Sequence, residues 1–171
     1  PVWLAACPQM HGTGMWLGTM APLLLKGSVV TLTNRSFDPH ELWQAVEREG
    51  VSAVVIVGDA FAKPMLRALD EKGYEAPSLK TIVSSGVMWS TEVKDGLLGH
   101  LDVTLYDGLG STEGSMGATV STRVDVGTTA KFTAGPQVKV VTEDGRIVEP
   151  GSDEIGMVAA VTASLGYFKD P

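Results

Sequence analysis

The sequence predicts an α/β protein: a parallel sheet with helical crossovers, followed by an antiparallel β unit of partial-barrel type. Three observations carry this expectation. β-Branched and apolar runs begin near residues 29, 51, 79 and 103, and each interval leaves room for one helix. The run Val51 to Val57 is almost continuously apolar, as in a strand covered on both faces. Beyond Ala118 helical periodicity stops, and Gly, Thr and Val dominate.

The elements follow in order. Pro1-Val2-Trp3-Leu4-Ala5-Ala6 reads as the middle of a buried strand, and an apolar segment at 15–25 leads to Gly27-Ser28 and the strand-like Val29-Val30-Thr31-Leu32-Thr33. Asp38-Pro39-His40-Glu41 opens a helix: Asp38 caps free N–H groups, Pro39 occupies the first helical position, and Glu41 supplies a capping-box acid. Leu42 and Val46 share one face, and Gly50 suits the left-handed stop. After Val51–Val57, Gly58-Asp59 introduces a helix with Phe61, Met65 and Leu69 at four-residue spacing and Gly73 as its end. Pro64 has to lie in the first turn of that helix, or the helix starts later.

Leu79 to Val83 is the third strand, Ser90 opens a helix to about Leu98 that Gly96 weakens, and Val103 to Tyr106 is the fourth strand. The crossovers should be right-handed and the strands parallel. Gly108 to Gly117 holds four glycines in ten residues without helical periodicity. Asp144-Gly145 between Val140-Val141 and Ile147-Val148 predicts a hairpin, and Ile155 to Val161 a further strand. The expected division is an α/β layer over 1–115 and an antiparallel β subdomain over 118–171.

Composition narrows the function. Of 171 residues, 44% are apolar and 19% charged, which is globular rather than disordered. Twenty acidic against thirteen basic residues give a net charge of −7, which argues against a nucleic-acid partner needing a basic face. A single cysteine leaves no intramolecular disulfide framework and suits a reducing compartment, so the expected location is cytoplasmic. No apolar run approaches the ~18–20 residues of a transmembrane segment. The first residues lack both the basic head of a signal peptide and a start methionine.

Three segments occupy or approach the carboxyl ends of parallel strands, where such sheets bind ligands. They are Pro8–Gly14, Ser84–Ser90 and Tyr106–Gly114. In the last, glycines at 108, 110 and 114 allow close backbone approach, Thr112 adds a hydroxyl, and Glu113 adds a hard oxygen ligand suited to Mg²⁺ beside phosphates. The plainer reading of these residues is a flexible loop with a solvated glutamate. Cys7 and His11 have metal-like spacing but no second pair, and Ser111 lacks the nucleophile-elbow pattern.

These segments resemble motifs of the acyl-CoA synthetases within the adenylate-forming enzyme superfamily. Pro8-Gln9-Met10-His11-Gly12-Thr13-Gly14 is similar to Pro-x-x-His-x-x-Gly, and Ser85-Gly86-Val87-Met88 to the Gly-Gly-Ala-Pro adenine turn. Gly110-Ser111-Thr112-Glu113 resembles the end of Tyr-Gly-x-Thr-Glu. Glu154-Ile155 with Gly166-Tyr167-Phe168-Lys169-Asp170-Pro171 resembles Gly-Glu-Ile…Gly-Tyr-x-x-x-Pro. Leu109 stands where the family has its adenine-stacking Tyr, Ser85 and Met88 where Gly and Pro are usual, and Asp153 where a Gly precedes Glu154. Val87-Met88-Trp89 is similar to a branch acting on long fatty or sterol-side-chain acids.

The resemblance implies small-molecule partners: a carboxylic acid, ATP with Mg²⁺, and CoA. ATP would form an acyl-adenylate and the CoA thiol would displace AMP. Thr112 and Glu113 would be catalytic, with Glu113 also the metal ligand. Ser85, Gly86, Val87, Met88, Asp107, Gly108, Leu109 and Gly110 would bind the nucleotide, Asp107 taking the adenine amino group. His11, Gly12 and Gly110 would border the acyl pocket. On the same resemblance the chain is a central portion of the enzyme: the phosphate loop would precede it, and the ribose-binding Asp and catalytic Lys would follow. Alone it is expected to make no acyl-adenylate, and either a homo-oligomer or self-association through its cut faces is expected. Two other readings remain at this stage: a dinucleotide-binding α/β domain, from Gly108-Leu109-Gly110 with Gly114, and a non-catalytic nucleotide-binding or scaffold remnant.

Overall fold

The computed structural model describes residues 1–111 and 114–160. Strand β1 (Val2–Ala5) leads to a π-helical segment, Thr13–Met20, that continues as α1 (Ala21–Leu24). Then come β2 (Ser28–Thr31), α2 (Pro39–Glu49), β3 (Ala53–Ile56), α3 (Gly58–Lys72), β4 (Thr81–Ser85) and α4 (Thr91–His100). Five strands complete the described chain: β5 (Thr104–Ser111), β6 (Gly114–Ser121), β7 (Thr133–Ala134), β8 (Val138–Val141) and β9 (Met157–Ala160).

The first seven strands form one sheet in the order β2-β1-β3-β4-β5-β6-β7, and β8 pairs with β9 in a second, two-stranded sheet. Pairing is parallel from β2 through β5 and antiparallel from β5 to β7 and between β8 and β9. The α/β class with a mixed parallel and antiparallel sheet therefore stands. Side-chain alternation sorts the two faces. Leu4, Val54, Ile56, Ile82 and Leu105 point into the main core beneath α2, α3 and α4, whose Trp43, Met65, Leu69 and Leu97 complete it. Trp3, Val55 and Val83 point the other way and meet Leu17 of the π-helical segment. The path β1 to β2 and the path β3 to β4 to β5 run in opposite directions across the sheet, with helices on opposite faces. All these crossovers therefore share one hand, and the direction reverses between β1 and β3.

Local chemistry explains the helices. The Asp38 carboxylate accepts from the His40 and Glu41 N–H groups at 2.8 and 3.4 Å, and Gly50 and Gly73 close α2 and α3 at φ 60° and 58°. Burying Trp43 anchors α2 to α3, because its Nε1 also donates to the Met65 carbonyl at 3.0 Å. Truncating such a side chain costs about 3–5 kcal/mol.

Several local expectations need correction. Glu41 does not complete a capping box: its carboxylate takes the Thr33 N–H and hydroxyl, each at 2.6 Å, and so ties the β2 exit to α2. Those two bonds hold its pKa below the ordinary value. Pro64 lies inside α3, beyond its first turn. The helix tolerates the lost bond because Ala62, Met65, Ala68 and Leu69 bury the face that continues through it. Ser90 opens α4 as expected, its carbonyl accepting from the Lys94 N–H at 3.1 Å, while its hydroxyl donates to Asp59. Gly96 lets α4 approach α3, since a Cβ there would sit 2.6 Å from Leu66 Cδ2. The fourth strand does not end at Tyr106, because pairing with β6 carries β5 through the glycines to Ser111, with a register shift at Leu109/Gly110. The Asp144-Gly145 turn forms, with Val148 N–H on the Val140 carbonyl, but the ladder partner of β8 is β9.

Candidate active site

Three chain segments meet at the carboxyl-terminal edge of the parallel strands. The pairing of β4 and β5 sets Ser84 beside Asp107 and Ser85 beside Gly108, so the adenine-turn candidates and the glycine-rich strand are neighbours by register. The Pro8–Gly14 segment joins them from β1. Thr13 Oγ1 donates to the Ser85 carbonyl at 3.3 Å, and the Thr13 N–H donates to His11 Nδ1 at 3.2 Å. His11, Ser85 and Gly86 are thus brought together. Gly12 sits at the start of the π-helical segment, where a Cβ would lie 3.7 Å from Trp16 Cδ1.

The turn after β4 has a left-handed residue, Gly86 at φ 94°, whose missing side chain leaves room for the His11 ring. Its following residues Val87 and Met88 are more than half exposed, and Leu109 on β5 is also exposed. Together they offer apolar surface beside backbone polar groups, which is the composition that a planar base uses. Behind the turn stands the amino-terminal end of α3. Gly58 N–H donates to Ser84 Oγ at 2.8 Å, and Asp59 N–H donates to the Met88 carbonyl at 3.1 Å. Asp59 Oδ1 accepts from both the N–H and the hydroxyl of Ser90, at 2.9 and 3.1 Å, while its Oδ2 pairs with Lys63 at 3.1 Å. A Cβ on Gly58 (φ 50°) would lie 2.5 Å from the Met88 carbonyl oxygen, so this approach excludes any side chain.

Asp107 lies on the other face of the sheet from Ser85, with Ser84 and under α4. Its carboxylate Oδ2 meets Lys94 Nζ at 2.7 Å; the side chains are 4% and 0% exposed. Burial pushes the Asp107 pKa up, and the Lys94 ammonium opposes that rise. Lys94 also lies 5.5 Å from the centroid of the Trp89 ring.

Thr112 and Glu113 lie outside the described residues, as does the segment Gly166–Pro171. Gly108 and Gly110 are in β5, Gly110 opposite Ser115. Among the described residues no group of three His, Cys, Asp or Glu side chains could hold a metal ion. The dinucleotide fingerprint needs a helix directly after its glycines, whereas strand β6 follows Gly108 and Gly110 here.

Sequence reasoning singled out the turn, His11 and Asp107. It included Thr13, Ser84 and Ser90 in its candidate segments without seeing the bonds they make, and it missed Asp59 and Lys94. One signal was available for Lys94: it lies on the stripe formed by Val93, Lys94, Leu97 and Leu98, where a cation is out of place.

Comparison with known proteins agrees with this geometry. Residues 1–164 match the AMP-binding enzyme family. The chain is 33% identical over 178 residues to a 3-oxocholest-4-en-26-oate–CoA ligase of Rhodococcus rhodochrous, covering 95% of this chain and 31% of that protein. It is 34% identical over 176 residues to a medium/long-chain-fatty-acid–CoA and 3-oxocholest-4-en-26-oate–CoA ligase of Mycolicibacterium smegmatis, with the same coverage. It spans about a third of the length of these curated relatives. The fold superimposes on the anthranilate CoA ligase AuaEII, solved with anthranoyl-AMP, at a TM-score of 0.79 and 18% identity, covering 99% of this chain and 33% of that one. ATP-bound MatB from Rhodopseudomonas palustris gives 0.69 at 20% identity, covering 92% and 30%. Among the described residues no helix is long and apolar enough to cross a membrane. With the family match running through residues 1–164, the chain belongs to the AMP-binding enzyme family.

Proposed function

We propose that these residues form the adenine corner and part of the acyl wall of an AMP-forming acyl-CoA ligase in the cytoplasm. Its substrates are a fatty or sterol-side-chain carboxylic acid, ATP and CoA. The acid and ATP give acyl-adenylate and pyrophosphate; the CoA thiol then takes the acyl group and releases AMP. Residues 1–115 serve as the nucleotide and acyl layer, and 118–171 as an antiparallel unit beside it. By itself the chain self-associates through exposed apolar residues such as Leu24 and Leu25.

The observation that carries the reading is the junction of the His11 segment with the Gly86 turn, through Thr13 and the Ser85 carbonyl. It sets an acyl-side motif against a nucleotide-side motif at one edge of the sheet. Gly86, Val87, Met88 and Leu109 flank the base, and Asp107 accepts its amino group. Thr112 donates to the α-phosphate. Glu113, with the substrate phosphates, holds Mg²⁺, which supplies charge neutralisation when bound. The chain's own contribution is positioning and electrostatic support.

The test is acid-dependent exchange of pyrophosphate into ATP by the full-length protein carrying these residues, with fatty and steroid-side-chain acids compared and acyl-CoA measured as product. Exchange and CoA ester with such acids are expected. A protein that binds ATP but supports neither reaction with any acid would sink the reading.

A further inference from the structure

A fully buried lysine is an expensive choice for a crossover helix. Taking an ammonium out of water costs several kcal/mol, and pairing it with a buried carboxylate is commonly no better for stability than two apolar residues of similar size. The Lys94–Asp107 pair is therefore poorly explained as a fastening between α4 and β5, whose surroundings are Trp89, Val93, Leu97, Ile82 and Leu105. A need for a carboxylate at position 107 explains it better. Asp107 sits near the carboxyl end of the parallel run, beside the last buried residue before the Gly86 turn.

The two carboxylate oxygens are not equivalent. Oδ2 is taken by Lys94 at 2.7 Å. Oδ1 accepts no hydrogen bond from a described residue, yet the only buried side-chain polar atom without a partner among those residues is Trp89 Nε1. The Asp107 side chain is 4% exposed, and Oδ1 is the oxygen that Lys94 does not take. The charged groups around Asp107 are few. Lys94 faces it from α4, and Asp59 from the start of α3 adds repulsion while itself paired to Lys63. Its strand neighbours Ser84 and Thr119 are uncharged.

We propose that Lys94 is a positioning residue for base recognition: by fixing Oδ2 it keeps Asp107 an ionised, one-sided acceptor whose Oδ1 is reserved for an exocyclic amino group. The inference rests on the nucleotide reading above and extends it to selection between purines. An amino group at C6 donates to Oδ1, whereas a carbonyl at C6 meets it with a second lone pair. The pocket therefore favours adenine over 6-oxopurines. Without Lys94 the buried carboxyl takes up a proton, and a neutral carboxyl can donate to a carbonyl as readily as it accepts from an amine.

The experiment compares ATP with inosine triphosphate, by calorimetric binding and by KM and kcat in pyrophosphate exchange, on the full-length protein. Lys94→Met and Asp107→Asn should each reduce the ATP-to-ITP affinity ratio by about tenfold or more. The Lys94→Met/Asp107→Asn double variant should lose no more than either alone, because both act through one carboxylate. Lys94→Gln keeps a donor of similar length without charge, and it carries the test if Lys94→Met does not fold. An unchanged ratio in the Lys94 variant, with Asp107→Asn shifting it, overturns the role of Lys94 while leaving the nucleotide reading intact. An unchanged ratio in every variant overturns the adenine assignment of Asp107 as well. Lower kcat or melting temperature at a constant ratio would show that the pair is structural only.

Discussion

The His11 ring lies where a side chain on Gly86 would be: a Cβ at position 86 would approach His11 Cε1 to 3.0 Å and Nε2 to 3.5 Å. Two segments 75 residues apart in sequence are thereby fitted to each other by the absence of one methyl group.

Gly86→Ala should push the turn away from His11. The backbone is also left-handed there (φ 94°), so the substitution adds strain of about 1–3 kcal/mol. A lower melting temperature together with a raised KM for ATP is expected, and a variant matching wild type in both would remove Gly86 from the site.

Asp59 touches the turn only through its backbone N–H and its Ser90 contacts, so its side chain acts by holding position. Asp59→Ala leaves the Ser90 N–H and hydroxyl without their acceptor and should cost about 1–3 kcal/mol of stability. Burial acts to raise the Asp59 pKa, but the two Ser90 donors and Lys63 outweigh it and leave the carboxyl below its ordinary value. A depressed folded pKa means that this support is complete above the ordinary carboxylate range. It fades as the pH falls through the lower, folded value. Comparing wild type and Asp59→Ala in denaturant titrations should give a constant difference near neutrality that shrinks only in acid.

Cys7 sits in the minor core with Val55 and Val57, and burial pushes its thiol up to about 11. In the unfolded chain a thiol ionises near ~8.5. The folded state therefore holds its full advantage from this group below that pH and loses it as the pH climbs through about 11. A disulfide thiol reagent at pH 8 should react slowly with the native protein and rapidly once denaturant is added. Fast native labelling would contradict the burial.

For the proposed metal ligand, Glu113→Gln should lower pyrophosphate exchange by about a hundredfold or more. The Mg²⁺ concentration needed for half-maximal rate should rise. A variant with unaltered Mg²⁺ dependence would place the metal elsewhere.

Much of the fold was legible because short-range chemistry fixes it. Asp38-Pro39 starts α2, Gly50 and Gly73 end two helices, and the apolar run at 53–56 is buried throughout. What escaped was decided by pairing across distance. Glu41 served Thr33 rather than its own helix end, and Ser90 served Asp59, because each found a buried or better-placed partner than local periodicity shows. The glycine-rich stretch after Tyr106 looked like a loop. It is a strand because β6 supplies the hydrogen bonds that glycine's own propensity does not favour. In the candidate site, the residues proposed to bind ligand had a motif to reveal them, whereas Asp59 and Lys94, engaged by Ser90 and Asp107, had none.

The segment Thr13–Met20 has hydrogen bonds spanning five residues, the last from Ala21 N–H to the Trp16 carbonyl. Such wide turns arise as one-residue insertions into an ordinary helix and recur at functional sites. Met15, Trp16 and Met20 are exposed along it, while Gly18 faces Ala5 of the sheet. Removing one residue here would restore the narrower pitch and rotate those side chains relative to the strands, without touching any strand register. The apolar rim thus has its own adjustment screw, by which length variation in a helix can reshape the neighbourhood of His11 while the sheet stays as it is.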